Sequence, residues 1–374
     1  MQEINKGNVL FLCEYQSLYS GNFIPSLMAL EEGLKEKNIA CVYAFPKQAK
    51  ARDWVRVMEA KGKKIIFFDF HVSRWRFIKQ LDKVVKQNNI YLIHSHFAPI
   101  LKVECYALLH RHVRVFIHMH SDFSAGKSSL KLKIKSYILY HACSGGVNFF
   151  SVSQDLARVN PNKIQYVPNA LADKRLSDFP IDGDKVRREN NIDKDSIFCE
   201  LFGWSPLIKG VDIAVNAISR LNDSLEKPII LGIVCGREMT PDKMQQWIQL
   251  HTHCSGKESF IRYLQPREDV FSYHAAADFL LLASRSEGFP YSVLEMLSLG
   301  KNCVVSDIPA VAWAKKYDLV HFFTTADSDS CMQTIKSVIK CPKMQNNDLA
   351  KRIKKDYSID QWVKTIIQAY GLCN

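Results

Sequence analysis

The chain of 374 residues is 47% hydrophobic and 24% charged, which excludes a largely disordered protein, and its length suggests two domains or one large one. Lys and Arg number 50 against 38 Asp and Glu, so phosphates, an anionic membrane surface and nucleic acid are all conceivable partners. No apolar run approaches the roughly 18 residues of a membrane-spanning helix, and the first residues lack a signal-peptide pattern. Eleven cysteines without a C-x-x-C pair favour a reducing compartment over disulfides or a zinc site, so we expect a cytoplasmic protein.

Short apolar runs alternate with amphipathic stretches through the first half of the chain. These runs predict strands at 9–13, 40–44, 64–70, 90–94, 113–118, 149–152 and 164–167. Helical patterns at 24–35, 73–86 and 100–111 lie between them. Strands separated by helices of this length indicate βαβ units in a parallel sheet.

The alternation pauses at 172–194, a polar segment with Pro180 and Gly183 that we predict to be a linker or an opening loop. It resumes with predicted strands at 197–203, 229–234, 260–264, 279–283 and 303–306, and apolar residues at helical spacing follow at 358–372. We therefore predict two doubly wound, Rossmann-like α/β domains, at 1–175 and 176–355. A closing helix at 356–374 must cap the second domain or pack elsewhere.

The most informative segment runs from 278 to 300. An apolar strand ends at Ser284, a loop follows with Gly288, Pro290 is placed in the first turn of a helix, and Gly300 follows the end of that helix. Ligands of open α/β sheets bind at such strand ends, and the amides that begin a helix favour phosphate. Pro290 has no N–H, so the predicted amide donors are those of Phe289, Tyr291 and Ser292.

Two carboxylates accompany this helix start. Glu287 lies in the loop and Glu295 about a turn and a half into the helix, and both are suited to accept hydrogen bonds from sugar or ribose hydroxyls. Seven residues separate them, and Glu-Gly-Phe-Pro opens the segment, a pattern that resembles the signature of family 4 glycosyltransferases. This resemblance implies a retaining enzyme of the GT-B fold, in which two domains face a cleft and the closing helix, 356–374, returns toward the first domain.

A second segment, 202–212, is similar to the Gly-Arg-Leu-x-x-x-Lys-Gly-x-Asp segment of the same family, whose Arg and Lys hold the donor diphosphate. Lys209 and Gly210 match this pattern, whereas Trp204 stands at the Arg position. Either Arg267 supplies the second cation or the amides carry more of the diphosphate.

The loop after the first strand contains Gly21 and Asn22, and Gly21 is able to adopt a positive φ that brings backbone close to a ligand. The resemblance implies that this loop lies near the acceptor and the donor phosphates. An ordinary strand–helix connection is the alternative.

Four histidines, His94, His96, His118 and His120, end two apolar strands. The resemblance implies that His120, or else His118, lies beside the transferred sugar. We expect no metal, because nothing in the sequence indicates that the two pairs converge and no known zinc spacing accompanies them.

Lys127, Lys131 and Lys135 recur every four residues and would share one face of a helix. This stripe predicts peripheral contact with an anionic membrane, and a solvated helix face is the alternative. Nucleic acid is not expected, because no base-stacking array or known module accompanies the charge.

Together these features predict transfer of a hexosyl or N-acetylhexosaminyl group from a UDP- or GDP-linked donor to a glycan or lipid-linked acceptor, in cell-surface polysaccharide synthesis at the cytoplasmic face of the membrane. No cofactor is expected, and the predicted catalytic residues are Glu287, His120 and Lys209. The alternatives are a nucleotide-sugar epimerase, a glycan phosphorylase, or a sugar- or membrane-binding scaffold in which Trp204 marks lost catalysis.

Overall fold

The structure, a computed structural model, describes residues 7–120, 146–159, 161–172, 180–254, 256–340 and 346–372. The chain divides into two compact units, the first formed by Met1–Ala170 with Ile359–Asn374 and the second by Leu171–Ser358. Each is an α/β unit built on one parallel sheet, as the alternation of strands and helices predicts. The boundaries suggested by the sequence, after 175 and 355, lie within five residues of these ends.

The first unit contains a seven-stranded parallel sheet in the order β3-β2-β1-β4-β5-β6-β7. Its strands are β1 (Asn8–Cys13), β2 (Cys41–Pro46), β3 (Ile65–Phe68), β4 (Ile90–His96), β5 (Arg114–Met119), β6 (Val147–Ser151) and β7 (Ile164–Tyr166). The central strands β1 and β4 are buried along nearly their whole length, because helices cover both faces of the sheet. This burial explains why their sequences are mostly apolar.

The helices of the first unit are α1 (Phe23–Lys35), α2 (Asp53–Ala60), α3 (Arg74–Gln87), α4 (Ile100–Leu109) and α5 (Gln154–Val159). A closing helix, Ile359–Ala369, packs against α1. A Cβ at Gly33 would lie 2.8 Å from Val363, so the absence of a side chain there permits the close approach. Arg114 donates to the carbonyl of the buried Tyr370 at 2.6 Å, which attaches the end of the chain to β5.

The second unit contains a six-stranded parallel sheet in the order β10-β9-β8-β11-β12-β13. Its strands are β8 (Phe198–Phe202), β9 (Ile230–Val234), β10 (Ile261–Leu264), β11 (Phe279–Leu282), β12 (Asn302–Ser306) and β13 (Val320–Phe323). Its helices are α6 (Gly183–Glu189), α7 (Pro206–Lys209), α8 (Val211–Asn222), α9 (Pro241–His251), α10 (Val270–Ala276), α11 (Tyr291–Ser298), α12 (Ser328–Lys340) and α13 (Asn347–Asp356), and the closing helix of the chain is α14.

Two elements of the second unit differ from the prediction. The segment 172–194 is not only a linker, because it contains α6, whose buried Arg187 bonds to Asp278 at 3.0 Å and to the carbonyl of Ala276 at 2.9 Å. The edge strand β13 was not predicted. Among the described residues, no helix combines the length and the apolar character needed to cross a bilayer.

Candidate functional site

The site in the second unit begins where β8 ends. Gly203 follows that strand, and a Cβ there would lie 2.6 Å from Ile233, so the chain passes tightly over β9. At the other end of this loop, Gly210 has φ +65°, and a Cβ on it would overlap the carbonyl oxygen of Ala283. The glycine therefore lets the turn that carries Lys209 lie directly against the end of β11.

Arg285 holds these two segments together. Its backbone N–H donates to the carbonyl of Ile208 at 2.8 Å, and its guanidinium donates to the carbonyl of Leu207 at 2.6 Å. The same guanidinium forms a bidentate pair with Asp212 at 2.9 and 2.6 Å. Bidentate pairs of this kind fix orientation as well as charge. The sequence analysis did not single out Arg285. The available signal was a basic residue just after the predicted strand 279–283, together with an acidic residue, Asp212, at the end of the segment 202–212.

Lys209 and Glu287, 78 positions apart in the chain, meet in this arrangement. The Lys209 Nζ lies 2.6 Å from Glu287 Oε1, and the Oγ of Ser284 donates to the same oxygen at 2.6 Å. Only 10% of the Lys209 side chain and 12% of the Glu287 side chain are exposed. The pair is therefore partly desolvated, which strengthens its attraction relative to a surface pair.

Trp204 lies beside this pair. The Lys209 Nζ is 4.8 Å from the centre of the Trp204 ring, within the range of a cation–π contact. A Cβ at Gly236 would lie 2.7 Å from the Cβ of Trp204, so the absence of a side chain at Gly236 leaves room for the tryptophan. The tryptophan nevertheless remains 57% exposed, and its ring forms part of the surface around Lys209.

Helix α11 begins four residues after Glu287. Pro290 is the N-cap residue rather than the first helical residue, so the helix starts one residue later than predicted, at Tyr291, with Ser292 next. Gly300 follows the helix with φ +68°, as predicted. Gly288 lies between Glu287 and Phe289. The ring of Phe289 stacks on that of Trp313, with the ring centroids 4.7 Å apart, and this contact holds the loop against the segment that contains Trp313.

Glu295 lies on the buried side of the same helix and is only 4% exposed. Its Oε2 is 3.1 Å from Nε2 of His274, whose Nδ1 bonds to Glu200, so an imidazole joins two carboxylates. Burial by itself lowers the pKa of His274, but Glu200 and Glu295 outweigh it and raise this pKa to about 9. At neutral pH the group is an imidazolium ion between two carboxylates. Its clearest sequence signal was Glu200, a charge within an apolar strand.

Arg267, proposed from the sequence as a second phosphate ligand, contacts the residues that follow it, in its own loop and in α10. Its guanidinium bonds to Asp269 at 3.0 Å and lies 5.2 Å from the centre of the Tyr273 ring.

In the first unit, Gly21 has the expected positive φ, +56°. Asn22 is the buried N-cap residue of α1, and the carbonyl of Asn22 accepts from Ser26 Oγ at 2.7 Å. A Cβ at Gly21 would lie 3.3 Å from the hydroxyl of Tyr15, which donates to the carbonyls of Tyr19 and Ser20. The loop is thus held by its own hydrogen bonds at the carboxyl end of β1.

The histidines of the first unit converge, contrary to what the sequence alone suggested. His120 Nε2 and His96 Nδ1 are 2.9 Å apart, and the rings of His118 and His120 stack with centroids 4.5 Å apart. One nitrogen each of His94, His96 and His118 lies within 4.8 Å of the others. A cavity of about 580 Å³ in the same unit, lined by β6, β7 and α5, contains none of the predicted site residues. Lys127, Lys131 and Lys135 lie outside the described residues.

Comparison with known proteins shows similarity in sequence for part of the chain and in fold for nearly all of it. Residues 183–356 match the family model described as "Glycosyl transferases group 1". No curated protein matches the chain by sequence. Among solved structures, HepE from Anabaena in complex with UDP and glucose is 13% identical, with a TM-score of 0.77 over 98% of this chain and all of that one.

Two further structures are similar over most of the chain. Sucrose-phosphate synthase from Thermosynechococcus elongatus is 13% identical, with a TM-score of 0.73 over 97% of this chain and 98% of that one. WaaG, described as a glycosyltransferase involved in lipopolysaccharide biosynthesis, is 13% identical, with a TM-score of 0.68 over 96% of this chain and 99% of that one. The fold is GT-B. Within the second unit, Lys209, Glu287 and α11 all lie in the residues that match the glycosyltransferase group 1 model.

Proposed function

We propose that the protein transfers a hexosyl or N-acetylhexosaminyl group, with retention of configuration, from a nucleotide diphosphate donor to a glycan or lipid-linked acceptor. The observation that carries this proposal is the partly buried pair of Lys209 and Glu287 at the start of α11. An ammonium group, a carboxylate and helix-start amides together match the chemistry of a sugar diphosphate. The UDP and UDP-glucose bound to HepE support a uridine donor.

The ammonium of Lys209 has three N–H donors, so it can keep its bond to Glu287 and still donate to a phosphate oxygen. Negative charge builds up on the diphosphate as the glycosidic bond to the sugar breaks. In this proposal, Lys209 and the first amides of α11, which begins at Tyr291, stabilise that charge. No divalent cation is needed at the diphosphate in this scheme.

Glu287 is proposed to orient the sugar. Its Oε1 already accepts from Lys209 and Ser284, while the carboxylate retains acceptor capacity for sugar hydroxyls. The bonds from Lys209 and Ser284 fix the orientation of this carboxylate at the end of β11. In the first unit, His120 is the residue proposed from the resemblance to contact the transferred sugar.

The biological setting proposed is cell-surface polysaccharide synthesis at the cytoplasmic face of the membrane. The net charge of +12 supports binding of an anionic donor and of a diphosphate-linked lipid acceptor. The similarity of fold to WaaG is consistent with this setting.

A second function, sugar binding without catalysis, is favoured by one observation. Trp204 occupies the position of the family's second phosphate-binding cation, and its exposed ring lies against Lys209. A site with a single cation stabilises a leaving diphosphate less than a site with two.

The test uses purified protein with UDP- and GDP-linked hexoses and N-acetylhexosamines, each with and without a lipid-linked or glycan acceptor. Release of nucleoside diphosphate and the anomeric configuration of the product, measured by NMR spectroscopy, distinguish retention from inversion. Conversion of the donor without an acceptor would indicate an epimerase, and consumption of inorganic phosphate would indicate a phosphorylase.

The matched variants are Glu287→Gln and Glu238→Gln, an exposed glutamate of the same unit. We expect Glu287→Gln to lower turnover by about 10²–10³-fold, as for loss of a preorganised polar group, and Glu238→Gln to leave it unchanged. Binding of nucleotide sugar without turnover by wild-type protein would support the binding function instead. Equal turnover of both variants would remove Glu287 from the mechanism.

A further inference from the structure

Three histidine side chains meet on one face of the first sheet. Strand side chains alternate between faces, so His94 and His96 of β4 point to the same side, and His118 of β5 is the register partner of His96. All three residues are at most 2% exposed. One ring nitrogen from each lies within 4.8 Å of the other two.

The remaining nitrogens of two of these rings are already bonded. His94 Nδ1 is 2.7 Å from the hydroxyl of Tyr370, and His96 Nδ1 is 2.9 Å from His120 Nε2. The Nε2 atoms of His94 and His96 and both ring nitrogens of His118 are buried and make no hydrogen bond of good geometry, although the backbone of Val167 approaches His118. Buried polar atoms without a partner are costly and rare, so several in one place indicate a ligand.

A neutral imidazole offers the lone pair of one ring nitrogen to a metal ion, while its other nitrogen carries the proton and donates a hydrogen bond.

We propose that His94, His96 and His118 form a binding site for one late divalent transition metal ion, of which Zn²⁺ is the best match. Three imidazoles are a known zinc donor set, and Zn–N distances of about 2.0–2.1 Å place tetrahedral ligands roughly 3.4 Å apart, which requires the rings to rotate toward one another. Tyr370 and His120 then serve as the outer partners that orient metal-binding histidines. Water fills the fourth position.

This ion would have a structural role, because Tyr370 follows the closing helix α14 while the three ligands lie on β4 and β5. Its binding would tie the end of the chain to the central strands of the first unit. The proposal concerns the first unit alone, and none of its three metal ligands is among the residues to which the proposed transfer reaction assigns a role, namely Lys209, Glu287 and His120.

The experiment uses the full-length chain without an affinity tag, freed of metal by dialysis against a chelator. Zn²⁺ is added and its stoichiometry measured by competition with a chromogenic chelator, and Co²⁺ is added to record its visible absorption. We expect one equivalent of Zn²⁺, the intense visible bands of four-coordinate Co²⁺, and a higher midpoint of thermal unfolding. X-ray absorption of the zinc-loaded wild-type protein should reveal imidazole ligands, and this measurement does not depend on any variant folding.

His118→Asn should remove the stoichiometric binding and the Co²⁺ bands, whereas His71→Gln, at an exposed histidine of the same unit, should keep both. Absence of stoichiometric binding to wild-type protein would mean that water or nothing fills the site, and would overturn the proposal. Binding that survives His118→Asn would belong to other histidines and would overturn it equally.

Discussion

The buried imidazole between two carboxylates makes the stability of the second unit depend on pH. His274 is fully buried, bonded to Glu200 through Nδ1 and to Glu295 through Nε2. Replacing it in His274→Gln keeps a side chain that can donate a hydrogen bond but removes the positive charge. The two buried carboxylates then lose their common counter-ion, so we expect the variant to be strongly destabilised at pH 6.5.

The magnitude follows from the pKa of His274, which rises from 6.5 to about 9 on folding. Each unit is equivalent to about 1.4 kcal/mol, so the pH-dependent stabilisation amounts to about 3 kcal/mol. Because the pKa in the folded state is the higher one, this stabilisation is fully present below pH 6.5 and is lost as the pH rises toward 9. In the wild-type protein, stability should therefore fall across this window.

The assay is urea unfolding at several pH values between 6.5 and 9, with the free energy of unfolding of each variant subtracted from that of the wild type. We expect the destabilisation by His274→Gln to shrink by about 3 kcal/mol across the window. His321→Gln is the matched control in the same unit, because burial lowers the pKa of His321 and its contribution changes only at more acidic pH. A destabilisation by His274→Gln that stays constant with pH would refute the imidazolium assignment.

Three further predictions concern the strand-end site. Gly210→Ala should lower the free energy of unfolding by more than about 2 kcal/mol, because it adds a clash with Ala283 to the strain of a positive φ. The control is Gly62→Ala, where φ is also positive but the surroundings are open, and it should lower the free energy of unfolding by about 1 kcal/mol. Equal losses for the two variants in urea unfolding would contradict the packing argument. Lys209→Met should weaken UDP binding by about 10–100-fold in calorimetry and leave uridine binding unchanged, since only the diphosphate contact is lost, and an equal loss for both ligands would remove its phosphate role. Trp204→Arg should tighten UDP binding severalfold in the same titration by restoring a second cation, and weaker binding would mean that the tryptophan ring itself contributes to the ligand contact.

Much of the fold could be read from local patterns. The buried strands of both sheets are apolar runs because helices cover both faces, and the helices between them have their own periodicity. The edge strand Val320–Phe323 was not predicted, because it is short and only half of its residues are buried. Helix α6 was not predicted either, because its packing depends on Arg187 and Asp278, which lie 91 positions apart.

The sequence by itself singled out Lys209 and Glu287 as candidates, since each lies in a strand–loop–helix segment whose glycines and proline mark the turn. Only the tertiary structure joins them, because β8 and β11 are neighbours in the sheet although two other strands lie between them along the chain. The same holds for the contacts that the sequence did not predict. The order and register of the strands bring His274 to Glu200 and Glu295, and His94 to His118. Because order and register depend on contacts across the whole sheet, no local sequence pattern predicts these contacts.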